Sequence, residues 1–246
     1  MPLYRVDNPR QSWYGESIGI LILDAAYPCI PGNVGNATTF DFPVRYQVVK
    51  DASIDRLLNR RDPSLIDAFI AAARQLEADG VKAITGACGF MALFQREIAA
   101  AVSIPVFVSS LLQIPFMHQI AGPGRRIGII TANADVLTDA HFAAVGVTPD
   151  IPMAVASMQG RDEFREAVLE EKGTLDSDRM QAEVLAEAVA LVDRYPDIGA
   201  MLLECSDLPP FAHAVQAATG RPVFDFITMI RYVKSALDQR PYRGNM

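Results

Sequence analysis

The feature that most constrains the fold is a motif written twice. "CGFMALFQREIAAAVSIPVF" (88–107) set over "CSDLPPFAHAVQAATGRPVF" (205–224) gives seven identities in twenty positions without a gap. They fall at the cysteine, at Phe94 and Phe211, at two Ala pairs and at all three residues of the Pro-Val-Phe end, with Phe107 above Phe224. Each cysteine precedes its proline by 17 residues, and "IGIL" at Ile18 and "IGII" at Ile127 open the two series. Ala coincidences are cheap, but a shared Cys and Pro at one spacing points to an internal repeat.

The grammar of each copy is alternating strand and helix. "SIGILIL" (17–23) is a short apolar run, the pattern of a strand covered on both faces. "DAAYPCIPGNVGNATTFDFPV" then reads as a long Pro/Gly/Asn loop. "DPSLIDAFIAAARQLEADG" (62–80) carries an Asp-Pro start and a Gly stop, so it is a helix; "VKAITGA" is a strand, "FMALFQREIAAAV" a helix and "IPVFVSS" a strand. After the polar break "AGPGRR" (121–126) the order restarts: strand "RIGIITA", a helix to about Ala144, strand "DIPMAVAS", and a mostly helical stretch from Arg161 to Tyr195 with a turn at Gly173. Strand "IGAMLLE", helix "LPPFAHAVQAATG", strand "RPVFDF" and a closing helix "ITMIRYVKSALDQR" follow.

This pattern predicts an α/β fold of two pseudo-symmetric, flavodoxin-like halves, each with a roughly four-stranded parallel sheet. The expected division is 1–120 for the first half and 121–222 for the second, with 223–246 packing back on the first. Ligands of open parallel sheets sit beyond the carboxyl ends of strands, beside helix N-termini. Cys88 and Cys205 both fall at such an edge, so the cleft between the halves is the expected active site.

Composition narrows the function. The chain has 246 residues, 50% hydrophobic and 21% charged, which is an ordered globular composition. A net charge of -7 argues against nucleic acid as the main partner. The N-terminal "MPLYRVDNPRQSWYGES" lacks an apolar signal core and no apolar run reaches membrane-span length, so a cytoplasmic protein with no membrane partner is expected. Three cysteines without C-x-x-C spacing suggest neither a disulfide framework nor a zinc ribbon; His118 and His141 lack ligand spacing, so no metal is expected. "PGNVGN" meets neither the P-loop nor the dinucleotide pattern, and no cofactor is called for. Cys29 reads as a small buried hydrophobe, and His213, whose repeat partner is Arg96, as a surface helix position.

Two opposed thiols have a specific use. One base removes the proton of a stereocentre next to a carboxylate while an acid returns a proton to the other face. A helix N-terminus lowers a thiol's pKa toward neutrality, and the two groups titrate as a coupled pair. The developing charge needs preorganised donors; backbone N–H groups at Gly89 and Ser206, with the side chains of Thr131, Asn133 and Ser206 at strand ends, are candidates. Gly86 and Gly89 would let a carboxylate approach the backbone beside the thiol.

With two tandem α/β halves, a cysteine after a late strand of each, and the local sequences "TGACGF" and "LLECSD", the chain resembles the aspartate/glutamate racemase superfamily over nearly its whole length. That cofactor-independent group also holds hydantoin and allantoin racemases, maleate isomerase and arylmalonate decarboxylase. The resemblance implies that Cys88 and Cys205 are the acid/base pair of a racemase or epimerase acting on a small carboxylate, as a homodimer or higher homo-oligomer. Decarboxylase-like members keep only the second cysteine, so retention of both favours racemisation or isomerisation.

Where glutamate racemases carry Asn-Thr and Thr-His after their cysteines, this chain has Gly89-Phe90 and Ser206-Asp207, so the glutamate recognition set is absent as such. Phe90 therefore bears on substrate choice. The loop after the first strand is closer in style to the decarboxylase and hydantoin racemase branch, and its Asp24, Asn33 and Asn36 are candidate substrate contacts. Glu204 and Asp207 flank a thiol, where an anion raises the thiol pKa or selects against acidic substrates. The alternatives are a hydantoin- or allantoin-type racemase, a maleate-type cis/trans isomerase with one thiol as nucleophile, and a non-catalytic carboxylate-binding protein on the same fold.

Overall fold

The computed structural model describes residues 3–6, 9 and 11–246. Among the described residues eight strands form two parallel four-stranded sheets. The first contains β1 (Ile18–Leu23), β2 (Val44–Val49), β3 (Ala83–Gly86) and β4 (Val106–Phe107) in the order β2-β1-β3-β4. The second contains β5 (Arg126–Thr131), β6 (Met153–Ser157), β7 (Ile198–Leu203) and β8 (Val223–Phe224) in the order β6-β5-β7-β8. The two orders are the same order written twice, as the repeat requires.

Strand β2 was not foreseen, because the turn-rich segment before it reads as loop up to Val44. Its signal is the β-branched and aromatic content of Val44, Tyr46, Val48 and Val49 around Arg45 and Gln47; as an edge strand it leaves Val48 exposed and buries Val49. Its register against β1 runs from Ile18 opposite Val44 to Leu23 opposite Val49.

Among the described residues eight α-helices cover the sheets: α1 (Ile66–Ala78), α2 (Gln95–Ala101), α3 (Ile114–Ala121), α4 (Asp139–Ala144), α5 (Asp162–Phe164), α6 (Ser177–Arg194), α7 (Ala212–Thr219) and α8 (Phe226–Leu237). Alternation along β1 divides its side chains: Leu21 and Leu23 join the core that contains Phe69 and Leu76 of α1, while Ile18 and Ile20 face the opposite side. The stretch 161–195 breaks more widely than a single turn at Gly173: a π-helical turn, Arg165–Leu169, follows α5, and α6 starts only at Ser177, capped by Asp176. Among the described residues no helix is long and apolar enough to cross a membrane.

The halves exchange their last helices. α3 packs on β5 and β7 of the second sheet. Conversely, Val223 and Phe224 pair with β7, and the segment that lies on the first sheet is α8, whose Phe226, Ile227, Met229 and Ile230 cluster with Ile18, Ile20, Ala83 and Phe107. Asp225 caps α8 through the Thr228 N–H at 2.7 Å, and its backbone carbonyl accepts from Gln113 Nε2 at 2.9 Å, tying the two crossovers together. Ile230 is fully buried at this crossing. Its replacement by Ala is expected to cost about 2 to 5 kcal/mol, measured as a lower denaturant midpoint at unchanged slope.

Candidate active site

The two cysteines sit at equivalent corners. β3 ends at Gly86, and Cys88, in extended conformation, precedes a 3-10 turn over Gly89–Phe94 that leads into α2. β7 ends at Leu203, and after Cys205 a 3-10 turn over Pro209–Phe211 leads into α7. Both helices therefore open with a tight turn rather than the regular helix expected. Bulky residues at Phe90 and Met91, and the prolines at 209 and 210, account for it locally.

Hydrogen bonds across the seam fix the corners to each other. Ser206 Oγ donates to the Ala87 carbonyl at 2.7 Å, and Ser110 Oγ donates to the Glu204 carbonyl at 2.9 Å. Asn33, from the loop after β1, donates from Nδ2 to Asp207 Oδ1 at 2.5 Å. All of these side chains are buried, so each such pairing satisfies a polar atom that water does not reach.

The result is one cavity that both thiols line, together with Tyr27, Phe90, Glu204 and Asp207. Its volume is about 20 Å³. A cavity of roughly 10 to 15 Å³ holds one water, so the site is closed down to that scale. Apolar walls come from Leu23, Ile54 and Leu58 on one side and Val168 and Leu169 on the other. No Lys, Arg or His lines the cavity among the described residues, although two carboxyl groups do.

The two thiols differ in their partners. Cys205 Sγ donates to Asp207 Oδ2 at 3.2 Å and receives the Asp207 backbone N–H, while Cys88 Sγ receives backbone N–H groups of Phe90 and Met91. Burial pushes both thiols well above their usual range; the next cause is the Glu204 charge for Cys88 and the Asp207 charge for Cys205. Helix-start donors therefore lose to desolvation, contrary to the sequence expectation of a thiolate lowered toward neutrality. Burial also raises Asp207, against hydrogen bonds from Cys205, Asn33 and Tyr27 that favour its charged form.

Glu204 is fully buried, and burial pushes its carboxyl up to about 7. Thr131 Oγ1 donates to its Oε2 at 2.8 Å, while Oε1 has no partner. A Cβ at position 89 would overlap this carboxyl group. Gly89 thus makes room for Glu204 and not for a ligand, and Gly86 likewise abuts the Val108 carbonyl and Met91.

Of the residues singled out from the sequence, Cys88, Cys205, Gly89, Phe90 and Ser206 meet at the cavity. Thr131 stands behind it, acting through Glu204. Asn133 lies in an adjoining depression of about 240 Å³, which shares Ile54, Leu58 and Leu169 with the cavity, and its Oδ1 accepts the Asp135 N–H. Asp24 is exposed and away from the cavity; Asn36 caps a short turn at Ala37. Tyr27, two residues before Cys29, was missed, and only its place in a loop that follows a strand end pointed to it. His141 is buried against the edge of Phe90 with ring centroids 5.1 Å apart, and burial holds it down to about 4. His213 is exposed, and Cys29 is a free thiol pushed up to about 12 by burial. Among the described residues no group of three or more His, Cys, Asp or Glu is placed to hold a metal ion.

This fold, with paired cysteines at matching strand ends, defines a class. Residues 51–230 match the family described as Asp/Glu/Hydantoin racemase. The chain belongs to that family of enzymes. Solved structures with the same fold include unliganded arylmalonate decarboxylase (TM-score 0.59, 17% identity, 94% of this chain and 96% of that one). Allantoin racemase from Pseudomonas fluorescens is another (TM-score 0.60, 12% identity, 93% and 100%). At these identities the likeness is one of fold alone.

Among curated proteins the chain is similar to dimethylsulfoniopropionate lyase of Durusdinium sp. clade D, 34% identical over 216 residues that cover 86% of this chain and 71% of that protein. It is also similar to dimethylsulfoniopropionate lyase 7 of Emiliania huxleyi (strain CCMP1516), 32% identical over 237 residues that cover 93% and 69%. These names describe lyases, not isomerases.

The raised Glu204 carboxyl has a signed consequence for stability. Its folded value of about 7 lies above the ordinary 4.5, so the folded protein holds this proton more tightly than the unfolded chain. It costs nothing below that ordinary value, and stability falls as pH rises through the window, by about 3 kcal/mol in all at about 1.4 kcal/mol per pH unit. Denaturant titrations of wild type and Glu204→Gln between pH 4.5 and 7.5 should show the variant gaining by that amount toward the alkaline end; a constant gap would refute the assignment.

Proposed function

We propose that the protein is a cofactor-independent enzyme that removes the proton next to the carboxylate of a small organic acid, with Cys205 as the base and Asp207 as its proton acceptor. The observation that carries this reading is the Cys205–Asp207 hydrogen bond at the wall of a cavity shared with Cys88. Asp207, raised by burial, is a competent acceptor for the thiol proton, and the thiolate so formed faces the cavity.

The outcome that best suits the cavity is β-elimination from an onium-substituted propionate of the dimethylsulfoniopropionate type. Cys205 thiolate takes the α-proton, the C–H electron pair becomes the new carbon–carbon double bond, and the C–S bond breaks with its pair going to sulfur. Acrylate and neutral dimethyl sulfide leave. A neutral leaving group needs no acid, so one base is sufficient. Two carboxyl groups with no basic side chain favour a substrate with positive charge, which also stabilises the thiolate by Coulomb attraction. The lyase relatives support the same outcome.

A second reading, two-base racemisation, is favoured by one observation: Cys88 lines the cavity beside Cys205. The readings separate in deuterated water. With dimethylsulfoniopropionate the expected result is headspace dimethyl sulfide and acrylate in equal amounts, reduced about 10³-fold in Cys205→Ser. α-Proton exchange without elimination in a panel of amino acids and hydantoins, lost for opposite enantiomers in Cys88→Ser and Cys205→Ser, would establish racemisation instead. Neither product nor exchange would overturn both.

A further inference from the structure

We propose that Glu204 anchors the cationic end of the substrate, its free carboxyl oxygen pairing with an onium group and so selecting cationic acids over neutral acids of the same shape. The inference rests on the elimination reading above and names the residue that sets its specificity.

The choice falls on Glu204 because its neighbour is already committed. Asp207 Oδ1 accepts from Asn33 and Oδ2 from Cys205, with Tyr27 as a further donor. Glu204 spends only Oε2, on Thr131, and leaves Oε1 buried and unpartnered in the cavity wall. An unsatisfied buried carboxyl oxygen is costly and calls for a compensating group. Gly89 makes its position possible, since any side chain there would displace it.

What would satisfy that oxygen follows from the surroundings. The protein offers no basic side chain at the cavity among its described residues, so compensation must come from the ligand. A sulfonium or quaternary ammonium group has no N–H to donate; it is held by a facing anion and by aromatic rings. Both are present, since Tyr27 and Phe90 line the same cavity as Glu204. In the empty site the carboxyl retains a proton, and a docked cation favours its ionised form. The same cation offsets the charge that Glu204 places on both thiols, so thiol ionisation becomes easiest once the right substrate is bound.

The test uses two probes of one shape, 3-(trimethylammonio)propanoate, whose trimethylamine is a far poorer leaving group than dimethyl sulfide, and 4,4-dimethylpentanoate, titrated calorimetrically into the whole chain in its Cys205→Ser form as well as wild type. Wild type should bind the cationic probe at least about tenfold more tightly, a difference of about 1.4 kcal/mol. Glu204→Gln, which keeps shape and removes charge, should bring the ratio close to one. A wild type without preference, no binding of the cationic probe, or an unchanged ratio in Glu204→Gln would overturn the proposal. Should the variant fail to fold, wild type alone decides: at pH 6, in buffers of different ionisation enthalpy, the cationic probe should release a proton and the neutral probe none. Absence of that release overturns the anchor.

Elimination assays keep the two claims apart. Dimethyl sulfide formation with an unmoved binding ratio removes the anchor and leaves the lyase reading. A collapsed ratio without dimethyl sulfide removes the lyase reading and leaves the anchor.

Discussion

The burial of two carboxyl groups beside two thiols, with no cation to meet them, is the constraint from which the rest of the site follows. Burial raises all four groups and the two carboxyl charges raise the thiols further, so the thiols stay protonated and Glu204 holds its proton toward neutrality. Such a cluster survives only if its polar atoms are otherwise paired. The seam supplies the pairs: Asn33 to Asp207, Thr131 to Glu204, and Ser206 to the Ala87 carbonyl. Glu204 Oε1 is the one side-chain oxygen of these two carboxyl groups left without a partner.

The pseudo-two-fold frame and the chemistry obey different symmetries. Sheet order, the 3-10 turn after each cysteine and the exchange of α3 and α8 repeat faithfully between halves. The residues after the cysteines do not: backbone N–H groups reach both thiols, but at Cys205 a carboxylate two residues on reaches the thiol as well. A pair of equivalent thiols is the natural frame for returning a proton to the opposite face. Breaking the equivalence so that one thiol has a dedicated proton acceptor suits a reaction that needs one base, as elimination does.

The sequence repeat made the architecture and both cysteines legible, because strand and helix periods and the Cys-to-Pro spacing survive in linear order. Three things were not legible. β2 hid behind a loop whose Pro and Gly content outweighed the β-branched and aromatic content of Val44, Tyr46, Val48 and Val49. The jobs of Gly86 and Gly89 were misread, since adjacency in sequence to a thiol suggests a ligand approach, whereas the space is taken by the Val108 carbonyl and by Glu204 from the other half. Asp24 looked placed for contact at a strand end and is exposed, while Tyr27, three residues on, turns inward. Which side of a loop faces the cleft is decided by tertiary packing, which a single sequence does not encode locally.

The small volume of the cavity bears on how a ligand enters. At about 20 Å³ it admits about one water, and an organic acid needs several times that room, so a wall must yield. The sheets and the seam are poor candidates, being buried and hydrogen-bonded throughout. The walls that meet solvent are the π-helical turns Asp55–Asn59 and Arg165–Leu169, which occupy matching places in the two halves and line the outer depression above the site. Each is followed two residues on by a non-glycine residue of positive φ, Arg61 at 48° and Glu171 at 53°. π-turns and left-handed residues are both marginal conformations, held by their surroundings and quick to relax when those change. Entry between these turns would uncover Leu58 and Leu169 and bring substrate directly onto the face where the two thiols and Glu204 converge.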